Sequence, residues 1–183
     1  MLKLGLSPSM SQWQVACFAT DCGLVFFDKI EPGERNPLEL IWASRDGETR
    51  LHYVDDAFID LKYLALAGAE TELLAGEARA SLAAVTLQDA LDRTNEEEDQ
   101  DERLQTASLL GVLAPPQYEP SVFNAYSKLS ASPDAAVRRR TVIAASYVAW
   151  QEFKPLLETL ATDADTAVHE RARVALDAFN RHV

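Results

Sequence analysis

The sequence predicts a mostly helical chain. A small N-terminal α+β region with a β-hairpin covers residues 1–84, and a short array of stacked helical pairs covers residues 85–183. Three observations carry this reading. The last third repeats itself: Ser132-Pro133-Asp134-Ala135-Ala136-Val137-Arg138 lies 31 positions before Asp163-Ala164-Asp165-Thr166-Ala167-Val168-His169. A period of that size with helical spacing inside it marks helical-pair repeats. Asp46-Gly47 stands between two runs of alternating apolar residues, a strong hairpin signal because Gly accepts the positive φ of such turns. From Thr86 onward every periodic segment has the 3.6-residue spacing of a helix.

The first 35 residues are the least legible. Trp13-Gln14-Val15-Ala16-Cys17-Phe18 fits helix or strand, and Leu24-Val25-Phe26-Phe27 before Glu31-Pro32-Gly33-Glu34 reads as a short buried strand. Leu38–Ser44 and Thr49–Val54 flank Arg45-Asp46-Gly47-Glu48 and form the hairpin, with Leu40, Trp42, Leu51 and Tyr53 on one apolar face. Ile59, Leu61 and Tyr63 alternate, which favours a third strand ending at Gly68. A helix over 69–84 follows, and its stripe of Leu73, Leu74, Ala78 and Leu82 suits it to cover the sheet. Trp13, Trp42 and Trp150 are expected to anchor cores, Trp150 by plugging the turn between repeats.

Thr86 can cap a short helix, Leu87–Arg93, with Asp89 three residues on. A second helix, Asp99–Leu113, ends before Pro115-Pro116. The next pair is Ser121–Leu129 with Asp134–Val148, and the last is Gln151–Leu160 with Asp165–His182. The shift of 31 holds through Leu129 to Leu160, Arg140 to Arg171, Ala144 to Ala175 and Ala145 to Leu176. Arg103 and Ala107 match Arg140 and Ala144 at a spacing of 37, as a degenerate first repeat would. Asp134 and Asp165 stand where a side-chain oxygen caps a helix. Val137 and Val168 begin a buried stripe, and the small Ala144 and Ala175 let neighbouring helices approach closely.

These residues resemble HEAT-type repeats, whose second helix typically reads Asp-x-x-Val-Arg-x-x-Ala-x-x-Ala-Leu. Asp134, Val137, Arg138 and Ala144 follow that pattern, with Thr141 at the first Ala place and Ala145 at the Leu place. Asp165, Val168, Ala172, Ala175 and Leu176 follow it again, with His169 where Arg is usual. The resemblance spans about residues 86 to 183 and implies a right-handed α-α superhelical array. It also implies that Arg138 pairs with an acid in the adjoining repeat, and that second helices line the inner, partner-facing surface. That surface is expected to carry Arg139, Val142 and Ser146, then Glu170, Arg173 and Asp177, with Glu102, Gln105 and Leu109 from the degenerate pair.

The net charge of −12 is unevenly placed. Residues 118–183 balance eight basic against eight acidic residues, so the whole excess lies upstream. Six acids fall within Glu96-Glu97-Glu98-Asp99-Gln100-Asp101-Glu102, a run that either receives a basic partner, with Glu96, Glu97 and Glu98 as contacts, or keeps the chain dissolved and complements a helix dipole. Such a balance disfavours nucleic acid and favours a basic protein partner, for instance a toxin neutralised by a bacterial immunity protein. Arg138-Arg139-Arg140 splay around a helix and form no single patch.

Catalytic signals are thin. No phosphate loop, dinucleotide loop, Gly-x-Ser-x-Gly or His-x-x-x-His occurs. Asp55, Asp56 and Asp60 are more often solvated than metal-binding, nothing places a base beside Cys17, and Cys17 and Cys22 read as reduced thiols. No cofactor and no metal are expected. No apolar run is long enough to span a membrane, and a cytoplasmic location is expected. The function read from the chain is non-enzymatic protein binding. The alternatives are a lyase-like or accessory HEAT protein and, less favoured for want of a basic groove, a nucleic-acid-acting one.

Overall fold

In a computed structural model the chain is described for residues 1–34, 36–95 and 99–181. It divides into two compact units, Met1–Thr86 and Leu87–Val183. An N-terminal antiparallel sheet is followed by helices, an α+β layout. Among the described residues no helix is long and apolar enough to cross a membrane.

The first unit is built on five antiparallel strands: β1 (Leu2–Gly5), β2 (Val25–Ile30), β3 (Leu38–Ala43), β4 (Thr49–Asp56) and β5 (Leu61–Gly68). Their order is β1-β5-β4-β3-β2, so β1 and β2 are the edges. The expected hairpin is β3–β4, with Leu40 opposite Tyr53 and Trp42 opposite Leu51. Its turn is tied by Ser44, whose backbone N–H donates to Thr49 O at 2.9 Å, and by Asp46, whose Oδ1 accepts from Glu48 N at 3.0 Å. Gly47 takes the positive φ of 78° that the turn requires. Gly68 is more demanding, because at φ 109° a Cβ there would sit 1.9 Å from the Glu48 carbonyl oxygen.

Helices α1 (Gln12–Asp21) and α2 (Thr71–Leu82) supply the cover for one sheet face. Val15, Phe18, Leu74, Ala75, Ala78 and Leu82 pack into one cluster with Leu40, Trp42, Leu51, Tyr53, Leu64 and Leu66. Ser11 starts α1 with a capping box: Gln14 N–H donates to Ser11 Oγ at 3.2 Å, and Ser11 N–H donates to Gln14 Oε1 at 3.0 Å. So Trp13–Phe18 is helix.

Three expectations fail here. Leu24–Phe27 does not continue as a buried strand: Leu24 is buried, but all six residues of β2 are exposed, because the strand lies at the sheet edge. Trp13 anchors no core; it is 75% exposed on the outer side of α1. Leu73 is exposed as well, leaving Leu74, Ala75, Ala78 and Leu82 as the buried stripe of α2.

The second unit contains α3 (Leu87–Arg93), α4 (Gln100–Leu113), α5 (Pro120–Ser130), α6 (Ala135–Val148), α7 (Lys154–Leu160) and α8 (Thr166–Arg181). A single 3₁₀ turn, Gln151–Phe153, leads into α7. Each short first helix lies against the second helix of its pair, and α4, α6 and α8 pack in succession. Val137, Val168, Ala107 and Ala144 are wholly buried, and Ala175 nearly so. All five lie on the second helices, where small side chains allow close approach of neighbouring helices.

The 31-residue repeat is visible atom by atom. Asp134 Oδ1 accepts from Ala136 N at 2.7 Å, and Asp165 Oδ1 accepts from Ala167 N at 3.0 Å and Val168 N at 3.1 Å. Two residues before each cap, Ser132 Oγ accepts from Asp134 N and Asp163 Oδ1 accepts from Asp165 N. Trp150 is buried after α6: its Nε1 donates to Pro116 O at 3.0 Å and its ring stacks on Phe153.

Candidate interaction surface

The residues expected to line a partner-facing helical surface do not act as one group. Arg139, Ser146, Glu170, Arg173 and Asp177 are exposed. Ser146 Oγ donates to Val142 O in its own helix. Val142 and Leu109 contradict the expectation, for both are completely buried. Thr106 to Leu113 are eight consecutive buried residues of α4, and Thr141 to Ala145 are five in α6, so those turns present no solvent face. Gln105 is half-buried. Glu102 is exposed but engaged in the capping box of α4, where Asp99 N–H donates to Glu102 Oε2 at 3.1 Å and Glu102 N–H donates to Asp99 Oδ1 at 3.0 Å. Glu96, Glu97 and Glu98 lie outside the described residues.

The three arginines diverge. Arg138 grips Asp163 with two parallel bonds, Nε to Oδ2 at 2.7 Å and Nη2 to Oδ1 at 2.8 Å, while its Nη1 donates to the carbonyls of Ser132 and Pro133. The guanidinium holds the Asp163 carboxyl below the usual carboxylate range. Arg139 points to solvent, and Arg140 Nη1 reaches Ser108 Oγ at 3.0 Å. Of that expected surface the exposed members on α6 and α8, Arg139, Ser146, Glu170, Arg173 and Asp177, are polar and of mixed sign, while Tyr147 and Val174 are exposed on the same helices.

Apolar exposure is concentrated in the first unit. Val25, Phe26, Phe27 and Ile30 on β2 are all exposed, as is Trp13 on α1. Between α1 and β2 runs an open groove of about 780 Å³, lined by Trp13, Ala16, Leu24, Phe26, Leu40 and Trp42. Phe26 stands edge-on to Trp42 at 5.8 Å, which fixes the groove floor. Sequence reasoning missed this site, although the run Val25-Phe26-Phe27 was itself the signal.

On the sheet face opposite Trp42, His52 Nδ1 lies 2.5 Å from Glu39 Oε1. Nearby Tyr63 is pushed up to about 12 by burial and by Asp56 and Glu39, so its phenol stays protonated near neutral pH. Asp56 is buried and caps Phe58 N at 3.0 Å. Among the described residues no group of three His, Cys, Asp or Glu side chains is placed to hold a metal ion. Compared with known family models, curated proteins and solved structures, the chain matches none.

Proposed function

We propose that this chain is a non-enzymatic protein-binding module. Its second unit is a HEAT-type array wound as a right-handed α-α superhelix, and its docking surface is the groove and edge strand of the first unit. One observation carries the binding site: three large apolar side chains, Trp13, Val25 and Phe26, stand in solvent and line one open groove, with Phe27 and Ile30 exposed on the same edge strand. A patch of this kind on a folded surface marks an interaction site. The HEAT reading is supported by the two capped second helices with buried valines 31 residues apart, and by the Arg138–Asp163 pair between successive repeats. The acidic excess upstream of Tyr118 suits a basic partner, such as a toxin that the chain would neutralise.

The test is affinity capture with three baits: the parent chain, Trp13→Ser with Phe26→Ser, and Arg139→Glu with Arg173→Glu. A partner held by the parent and the arginine variant but lost from the groove variant supports the reading. A partner lost only from the arginine variant moves the site to the helices and refutes it.

A further inference from the structure

The two edges of the sheet are treated differently. β1 is only four residues long, and beyond it Gly5 and Val85 exchange both backbone hydrogen bonds at 2.8 Å. That closes part of the edge in the way sheets usually guard themselves. β2 is longer, exposed along its whole length, and has no strand beyond it among the described residues. A bulge at Phe27, between the pairs Phe26–Trp42 and Asp28–Ile41, leaves Asp28 to Ile30 as the regular stretch of edge.

Beside this edge lies the groove, large enough for one or two side chains and walled by aromatic rings. The segment carrying the edge, residues 21–34, holds four acids, Asp21, Asp28, Glu31 and Glu34, against a single lysine. That lysine is already engaged, with Lys29 Nζ 2.8 Å from Glu31 Oε1. Arg50 is stacked on Phe27 at 5.2 Å. With Arg35 directly following, residues 21–35 carry four acids against two basic residues, a net charge of −2.

We infer that β2 accepts an extended cationic segment of the partner protein as a sixth strand. This rests on the protein-binding reading above. Backbone groups of β2 supply the hydrogen bonds, except Lys29 N–H, which Asp28 Oδ1 already accepts at 2.8 Å. One apolar side chain of the segment enters the groove between Trp13 and Phe26, and its lysines or arginines lie along Asp28 and Glu34. A second copy of this chain is disfavoured, because pairing β2 with itself would bring the same acids edge to edge in two molecules of net charge −12.

The experiment uses the full-length, ¹⁵N-labelled chain and three end-blocked octapeptides. One alternates valine and lysine, one alternates valine and glutamate, and one is the lysine peptide with alternate backbone nitrogens methylated. The lysine peptide is expected to shift the amides of residues 25–30 and the Trp13 indole, and to bind more weakly as salt rises. Trp13→Ser or Phe26→Ser, both at exposed positions, is expected to weaken it about tenfold. The glutamate and methylated peptides are expected to leave these signals unmoved. Equal binding by all three, or shifts confined to other residues, would overturn the inference. So would concentration-dependent shifts of β2 in the chain alone, which mark self-pairing. Failure of every peptide overturns the cationic-strand inference alone, since the wider reading stands or falls on the capture comparison.

Discussion

The Arg138–Asp163 pair offers a quantitative test of how α6 is tied to the segment that leads into α8. Its side chains are only 16% and 10% exposed, and the fork is bidentate. Charge-assisted bonds contribute about 1.5–3 kcal/mol each, but two made by one pair do not add fully. Asp163→Ala also removes the acceptor for Asp165 N, while the Arg138 guanidinium keeps the Ser132 and Pro133 carbonyls. A loss of about 2–3 kcal/mol is expected for either single variant, with a coupling of about 1–2 kcal/mol in the double-mutant cycle. Urea unfolding followed by circular dichroism at 222 nm reads this as a midpoint lowered by about 1 M, taking a slope near 2 kcal/mol per molar. The pH dependence has a definite sign. The folded Asp163 carboxyl lies below its unfolded value of about 3.9, so its stabilisation is present above that pH and is lost as pH falls through the folded pKa. Parent and Asp163→Ala should thus converge in acid. Additive single-variant effects, or a pH-independent gap, would refute the reasoning.

Three further outcomes are expected. Val137→Asp should unfold the second unit, since Val137 is wholly buried and an unpaired charge there costs several kcal/mol, whereas Arg139→Glu should move the melting temperature little; thermal melts of the two variants decide this. Gly68→Ala should destabilise the first unit by roughly 2 kcal/mol or more, because both its φ and the Glu48 carbonyl forbid a Cβ; urea unfolding followed by tryptophan emission reports it. In an alkaline titration at 295 nm, Tyr53 and Tyr63 should ionise near pH 12, and Tyr126 well above the usual value, because burial disfavours the phenolate. The stability they contribute is complete below about pH 10 and is lost as pH climbs through their folded values.

What was legible in the chain was local. Asp134 and Asp165 announce their helices through caps made within two or three residues, and Asp46-Gly47 fixes the β3–β4 turn by backbone geometry alone. The burial of Val137 and Val168 follows from helical spacing. Position in the sheet was not legible. Val25-Phe26-Phe27 has the composition of a buried strand, yet its place beside β3 leaves it outermost. Leu109 and Val142 were assigned to an open face by register, which ignores what lies on the other side of a helix. A clue stood in the sequence: no charged residue occurs from Leu104 to Tyr118 or from Thr141 to Gln151, the stretches that contain the fully buried turns Thr106 to Leu113 and Thr141 to Ala145. Trp13 misled because tryptophan is usually counted as an anchor, whereas on α1 its angular position points away from Val15 and Phe18.

The most direct measurement is amide hydrogen exchange of the chain with and without its captured partner. Slowed exchange concentrated in residues 12–30, with α4, α6 and α8 unchanged, is the expected result. Protection confined to those three helices, with β2 exchanging as freely as before, would contradict the assignment of the docking surface.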